Sequence, residues 1–209
     1  WRFWNVSLRA KTSRYSFAFS FGISSFFTVL FPLLLLVLLA IRRAISLRPL
    51  FIGVLAFFVS QILLRIPLLS ILSTQGWFLT FAQQQMLLYL ILLSASAGLF
   101  EESARLLGAK CFCKGRRSYR DAVSFGLGHG LCEVVLLVGL SSIGNLLYCV
   151  MINSGSLGAA ASGSAEMLQQ ITAALASVST ASIYLGIVER ISAVLFHVFA
   201  SVLIFYGVN

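Results

Sequence analysis

The sequence predicts an all-α fold: a polytopic transmembrane helix bundle of about five spans, with a candidate interfacial helix. Three observations carry that prediction. Of 209 residues, 59% are hydrophobic and only 10% charged, whereas a soluble domain averages about a quarter charged. Uncharged runs of about 20 residues recur, each long enough to cross a bilayer core of roughly 30 Å. The period-2 alternation of a membrane barrel is missing. No linker rich in Pro, Gly or charge interrupts the chain, so it divides into a basic N-terminal tail, 1–16, and one transmembrane domain, 17–209. The tail has no continuous apolar core and does not fit a cleavable signal peptide. With Trp at position 1, the native start is expected upstream.

The first span is predicted over 17–41 and stops at Arg42 and Arg43. The second covers 49–72, with Arg65 and Pro67 near its far end. An uncharged stretch, STQGWFLTFAQQQ, leads into the third, 84–108, which ends in the segment GLFEESARLL. The loop AKCFCKGRRSYR follows, and then a fourth span over 121–151, long enough to be tilted or broken at its glycines. Residues 154–182 hold no Lys or Arg, and SAEMLQQITAALASV within them suggests the interfacial helix. The last span is 183–206.

The net charge is +9, from 15 Lys and Arg against 6 acids. The basic residues lie between apolar runs, which fits positive-inside orientation and gives no reason to expect nucleic acid. The loops after spans one and three are basic, while those after spans two and four are not. That alternation places the two basic loops in the cytoplasm and leaves the tail, with Arg2, Arg9, Lys11 and Arg14, on the other side. Cys111 and Cys113 form a lone Cys-x-Cys in the basic loop, and Cys132 and Cys149 sit in spans. Zinc would need two further ligands near the pair, so inert reduced thiols are expected, with juxtamembrane acylation as the alternative.

The placement of polar residues is the strongest signal. Asp121 starts span four and Glu166 lies in an outer loop, but Glu101, Glu102, Glu133 and Glu189 all fall inside spans. So do both histidines, His129 and His197, along with Arg65, Arg105 and Arg190. A charge at mid-bilayer costs on the order of 2.5–3.5 kcal/mol on insertion scales, so such groups face partners or a wet cavity. Glu101 and Arg105 are i,i+4 on one helix and can pair; Glu102 reaches Arg105 at i,i+3. His129 and Glu133 are again i,i+4, within GLGHGLCE, whose glycines let a neighbour approach closely. Glu101 and His129 each lie about 12–14 Å from the cytoplasmic ends of their helices at 1.5 Å per residue. They can therefore meet at one depth. The same pairs can also serve only as glue between helices.

FEESARLL, SFGLGHGLCE, ERISAVLFHVFAS and VSQILLRIPLL together resemble the YhfC family of membrane peptidases. That family is related to the CAAX-prenyl-protease and bacteriocin-processing (Abi) group and to the PrsW proteases. The wider group has a paired-Glu motif with a basic residue, then Phe-x-x-x-His, then His-x-x-x-Asn or Asp. The counterparts here are Glu101-Glu102-x-x-Arg105, Phe125-x-x-x-His129 and His197-x-x-x-Ser201, the last with Ser in place of the amide or carboxylate.

The resemblance implies peptide hydrolysis without a covalent intermediate, in a bacterial cell membrane and near its cytoplasmic side. Glu101 would be the general base. His129 would orient water or donate to the leaving group, and His197 with Ser201 would stabilise the oxyanion. Glu102 and Glu133 would orient these groups, and Arg105 would keep a carboxylate ionised. A metal-free glutamate mechanism is favoured, so no cofactor is expected; the alternative is zinc on Glu101, His129 and His197, although HExxH is absent. Expected partners are membrane lipid and a peptide or protein substrate, with prenylated and leader peptides among the candidates. Two other classes stay open, a proton-coupled transporter and a non-catalytic immunity or scaffold protein. The lack of an internal repeat counts against transport.

Overall fold

The computed structural model describes residues 16–157 and 165–209; residues 1–15 of the basic tail lie outside them. Among the described residues every regular element is helical. They are α1 (Ser16–Ile41), α2 (Leu47–Leu72), α3 (Gly76–Gln84), α4 (Met86–Phe112), α5 (Tyr119–Ser154), α6 (Ala165–Ser177) and α7 (Thr180–Gly207). Five of these, α1, α2, α4, α5 and α7, are long and apolar enough to cross a membrane. The expected spans are all present, within four residues at each boundary. The stretch expected as a connection after span two instead forms α3. Phe78 of this helix is buried and stacks edge-on against Tyr89 of α4, with ring centroids 5.7 Å apart. That aromatic anchor favours helix over an open loop.

Among the described residues, wide π-helical turns interrupt or end four of the long helices: Phe26–Leu30, Phe58–Arg65, Gly108–Phe112 and Val134–Gly139. Such turns insert a residue, shift the helix face and recur at functional sites. The glycines at 126, 128 and 130 do not break α5; they lie in regular α-helix, and the π turn begins only at Val134.

The described residues form two compact units, 16–37 with 134–157 and 165–192, and 38–133 with 193–209. In the first, Ser24 and Ser142 share a hydroxyl hydrogen bond of 2.9 Å, and Ser20 meets the Tyr184 hydroxyl at 3.2 Å. Phe21, Cys149 and Ile183 form its apolar core. Glu189 and Arg190, placed by sequence inside the last span, form an ion pair with each other here.

The second unit is organised by glycine. A Cβ on Gly128 would stand 2.1 Å from the Leu50 carbonyl oxygen of α2, and one on Gly53 would stand 2.1 Å from the Phe125 carbonyl oxygen of α5. On the other side of α5, a Cβ on Gly126 would meet Val198 Cα of α7 at 2.5 Å. The three helices therefore touch backbone to backbone, as small residues allow in membranes. Below these contacts Phe125 and Phe205 pack edge to face at 5.5 Å, with Ala109, Cys113 and Ala122 buried around them.

The ends of this unit are capped by charge. Ser118 and Asp121 open α5 with a reciprocal capping box: Asp121 N–H donates to Ser118 Oγ, and Ser118 N–H donates to the Asp121 carboxylate. Arg48 donates to the Phe112 carbonyl, Arg120 to the Ile45 carbonyl and Arg117 to the Val208 carbonyl. All four cysteines are free. Burial pushes the Cys113 thiol up to about 11, consistent with an inert side chain.

Gly128→Ala should cost about 3 kcal/mol or more, because backbone rather than a pliable side chain blocks the added methyl. Gly98→Ala, with nothing within 4 Å of the added Cβ, should leave stability within about 1 kcal/mol of the parent or raise it. Thermal unfolding of both variants in one detergent checks the contrast.

Candidate active site

Apart from Glu189 and Arg190, the charged and imidazole side chains that the sequence placed inside spans gather in the second unit, on four helices, together with Gln61 and Ser201. From α2 come Gln61 and Arg65; from α4, Glu101, Glu102 and Arg105; from α5, His129 and Glu133; and from α7, His197 and Ser201. The glycine contacts explain why they meet. Gly128 seats α5 on α2 while Gly126 and Gly130 seat it on α7, so the residue between them, His129, is held in the seam.

His129 is fully buried, and its ring stands edge-on to Phe57 and 4.7 Å from the ring of His197. The Oε2 atom of Glu101 faces both rings, 3.8 Å from His129 Nε2 and 3.9 Å from His197 Nδ1. These separations are too long for hydrogen bonds. One donor atom from each of the three residues falls within a 4.8 Å set. That is somewhat wider than the ~3.3 Å between tetrahedral ligands with bonds of ~2.0 Å to zinc. Neither ring nitrogen of His129 has a hydrogen-bond partner, and a buried polar atom in that condition asks for an explanation. A shared cation supplies one. The donor set, one carboxylate and two imidazoles, is that of catalytic zinc sites.

Around this set the partners keep one of the pairs that spacing suggested, Glu102 with Arg105, and replace the others. Arg105 does not pair with Glu101 at i,i+4; its Nε donates to Glu102 Oε2 at 3.1 Å. Its Nη1 donates to the His197 carbonyl at 2.8 Å and to Ser201 Oγ at 2.7 Å. Its Nη2 lies 3.0 Å from His197 Nδ1. Arginine has only donors, so Nδ1 must be the accepting nitrogen. The ring proton is then on Nε2, which donates to Glu133 Oε2 at 2.7 Å. Glu133 thus serves His197 across the helix seam and not His129 on its own helix.

Ser201, expected at an oxyanion site, is fully buried behind the histidine. It donates to the His197 carbonyl at 2.8 Å and accepts from Arg105, so its hydroxyl is used inside the cluster. Gln61 was not singled out by sequence. Its Nε2 donates to Glu101 Oε1 at 3.0 Å, and its Oε1 accepts from Arg65 Nη1 at 3.1 Å. The signal was its i,i+4 spacing from Arg65 inside VSQILLR.

Removing the buried guanidinium strands several acceptors at once. Arg105→Met should therefore lower stability by about 3 kcal/mol or more. Arg105→Lys should recover only part of it, since an ammonium cannot reproduce the fork. Melting temperatures in detergent give the measurement.

Residues 27–209 match the family model described as YhfC intramembrane metalloprotease. The chain is 34% identical over 190 residues to the uncharacterized membrane protein YhfC of Bacillus subtilis (strain 168), covering 90% of this chain and 74% of that protein. No solved structure matches. The family description supports a protease and leans against the metal-free glutamate mechanism favoured from sequence. With five apolar spans and this match, the protein is an integral, multi-pass membrane protein, and it belongs to the YhfC intramembrane metalloprotease family.

Proposed function

We propose that this protein is an intramembrane peptidase that hydrolyses peptide bonds of membrane-associated substrates with a divalent metal, zinc first, on Glu101, His129 and His197. The observation that carries this reading is the fully buried His129, whose two ring nitrogens lack hydrogen-bond partners beside a carboxylate oxygen and a second imidazole. A cation held there would supply a Lewis acid for the scissile carbonyl and lower the pKa of a bound water.

The remaining roles follow from the hydrogen bonds. Glu133 accepts the Nε2 proton of His197, fixing the tautomer that presents the Nδ1 lone pair toward Glu101 and His129. Arg105 donates to that lone pair, which would hold a cation when one is bound, and is anchored independently by Glu102, Ser201 and the His197 carbonyl. With Glu101 as a ligand, the proton-accepting role passes to Glu102. Its side chain is 41% exposed, the most open of the cluster's carboxylates, and Arg105 holds its Oε2. Arg105, His129, His197 and Ser201 are buried, which strengthens the interactions among them.

The basic loops between α1 and α2 and between α4 and α5 support a site toward the cytoplasmic side. Prenylated peptides and leader peptides are the candidate substrates.

The test begins with new peptide termini in membranes that hold or lack the protein. The cleaved product is then assayed in proteoliposomes. Glu101→Ala and His129→Ala should each reduce cleavage to background. A chelator should abolish it, and Zn²⁺ should restore it. Full activity in either variant sinks the site assignment, and chelator-resistant cleavage returns the mechanism to a metal-free glutamate.

A further inference from the structure

We propose that Gln61 is a positioning residue that fixes which oxygen of Glu101 faces the two histidines, making that carboxylate a single-oxygen donor to a divalent cation. The inference rests on the reading of Glu101, His129 and His197 as a metal-holding set.

Gln61 is only 3% exposed and lies in the π turn of α2. Both ends of its amide are engaged, and their direction is not free. Arg65 has no acceptor, so its Nη1 must meet the amide oxygen. The amide nitrogen is thereby turned toward Glu101 Oε1. A flipped amide would set N–H against guanidinium and C=O against carboxylate, two repulsive contacts in a low-dielectric interior.

Arg65 is itself held. Its Nε donates to Ser96 Oγ at 3.1 Å and its Nη2 to the Leu93 carbonyl at 2.7 Å. The chain of hydrogen bonds therefore leaves α4 at Leu93 and Ser96, crosses to Arg65 and Gln61 on α2, and returns to α4 at Glu101. It acts as a brace: α4 fixes the orientation of its own carboxylate through a neighbouring helix. With Oε1 occupied by Gln61, only Oε2 is directed at His129 Nε2 and His197 Nδ1. A carboxylate without that brace can turn both oxygens to the cation, changing the ligand count and the number of positions left open for substrate.

The test uses the full chain in phospholipid nanodiscs, loaded with Co²⁺, whose visible absorption reports ligand number and geometry. Affinity is read by competition with a chelator. The parent should take up one Co²⁺, and His129→Ala should lose it. Gln61→Met should still bind, but about 10- to 100-fold more weakly, as for other residues that orient a ligand, and with a shifted visible spectrum. Gln61→Glu, of the same size, retains the acceptor for Arg65 and serves where Gln61→Met does not accumulate; it should shift the spectrum as well. A merely structural role would lower the melting temperature and leave the spectrum and affinity as they were. Affinity within twofold of the parent, with an unchanged spectrum, overturns the role of Gln61 while the metal site stands. A parent that takes up no Co²⁺ overturns both.

Discussion

The close seating of α5 between α2 and α7 is the constraint on which the rest of the second unit depends. At Gly128 and Gly53 there is no room for a methyl group, because the obstruction is a carbonyl oxygen 2.1 Å from where a Cβ would lie. Lipid offers helices no hydrophobic incentive to associate, so such backbone contact and the hydrogen bonds it permits must hold them together. The contact sets the distance between α5 and its neighbours, and that distance decides which polar atoms can touch. His129 lies between two glycines that face α7 and beside one that faces α2. Its ring has no direction but inward.

Given that seam, the charges arrange themselves in two layers. The inner layer is Glu101, His129 and His197, separated by gaps too long for hydrogen bonds. The outer layer is Gln61, Arg65, Arg105, Glu133 and Ser201, which hydrogen-bond to one another or to the inner three at 2.7 to 3.1 Å. The outer layer fixes the inner one in place. Such an order suits a cation site, in which ligands are pre-oriented and the space between them is left to the ion. It suits simple helix glue poorly, since glue would close the inner gaps first.

Much of this was legible in sequence, for a reason that also explains what was not. Carboxylates, imidazoles and guanidiniums inside apolar spans carry a cost large enough to demand partners, so Glu101, His129, Glu133 and His197 stood out at once. Their pairing did not. Spacing along one helix offered Arg105 both Glu101 and Glu102, and the structure takes Glu102; it joined His129 to Glu133, whereas the structure joins Glu133 to His197. Helix–helix approach decides that second partner, and nothing in a single helix encodes it. Gln61 escaped notice because an uncharged amide in a span costs little enough to look incidental. The short helix α3 was read as a connection because its stability comes from aromatic packing on α4, not from its own length.

The arginines at the ends of the second unit have a mechanical consequence. Arg48 ties the start of α2 to the end of α4, Arg120 ties the start of α5 to the chain ahead of α2, and Arg117 ties the loop before α5 to the end of α7. Each uses a charged fork to grip a terminal or loop carbonyl that a helix leaves unpaired. Three guanidinium–carbonyl bonds thus cross-link the ends of α2, α4, α5 and α7 along one rim of the second unit, so those ends cannot separate without leaving carbonyls unpaired.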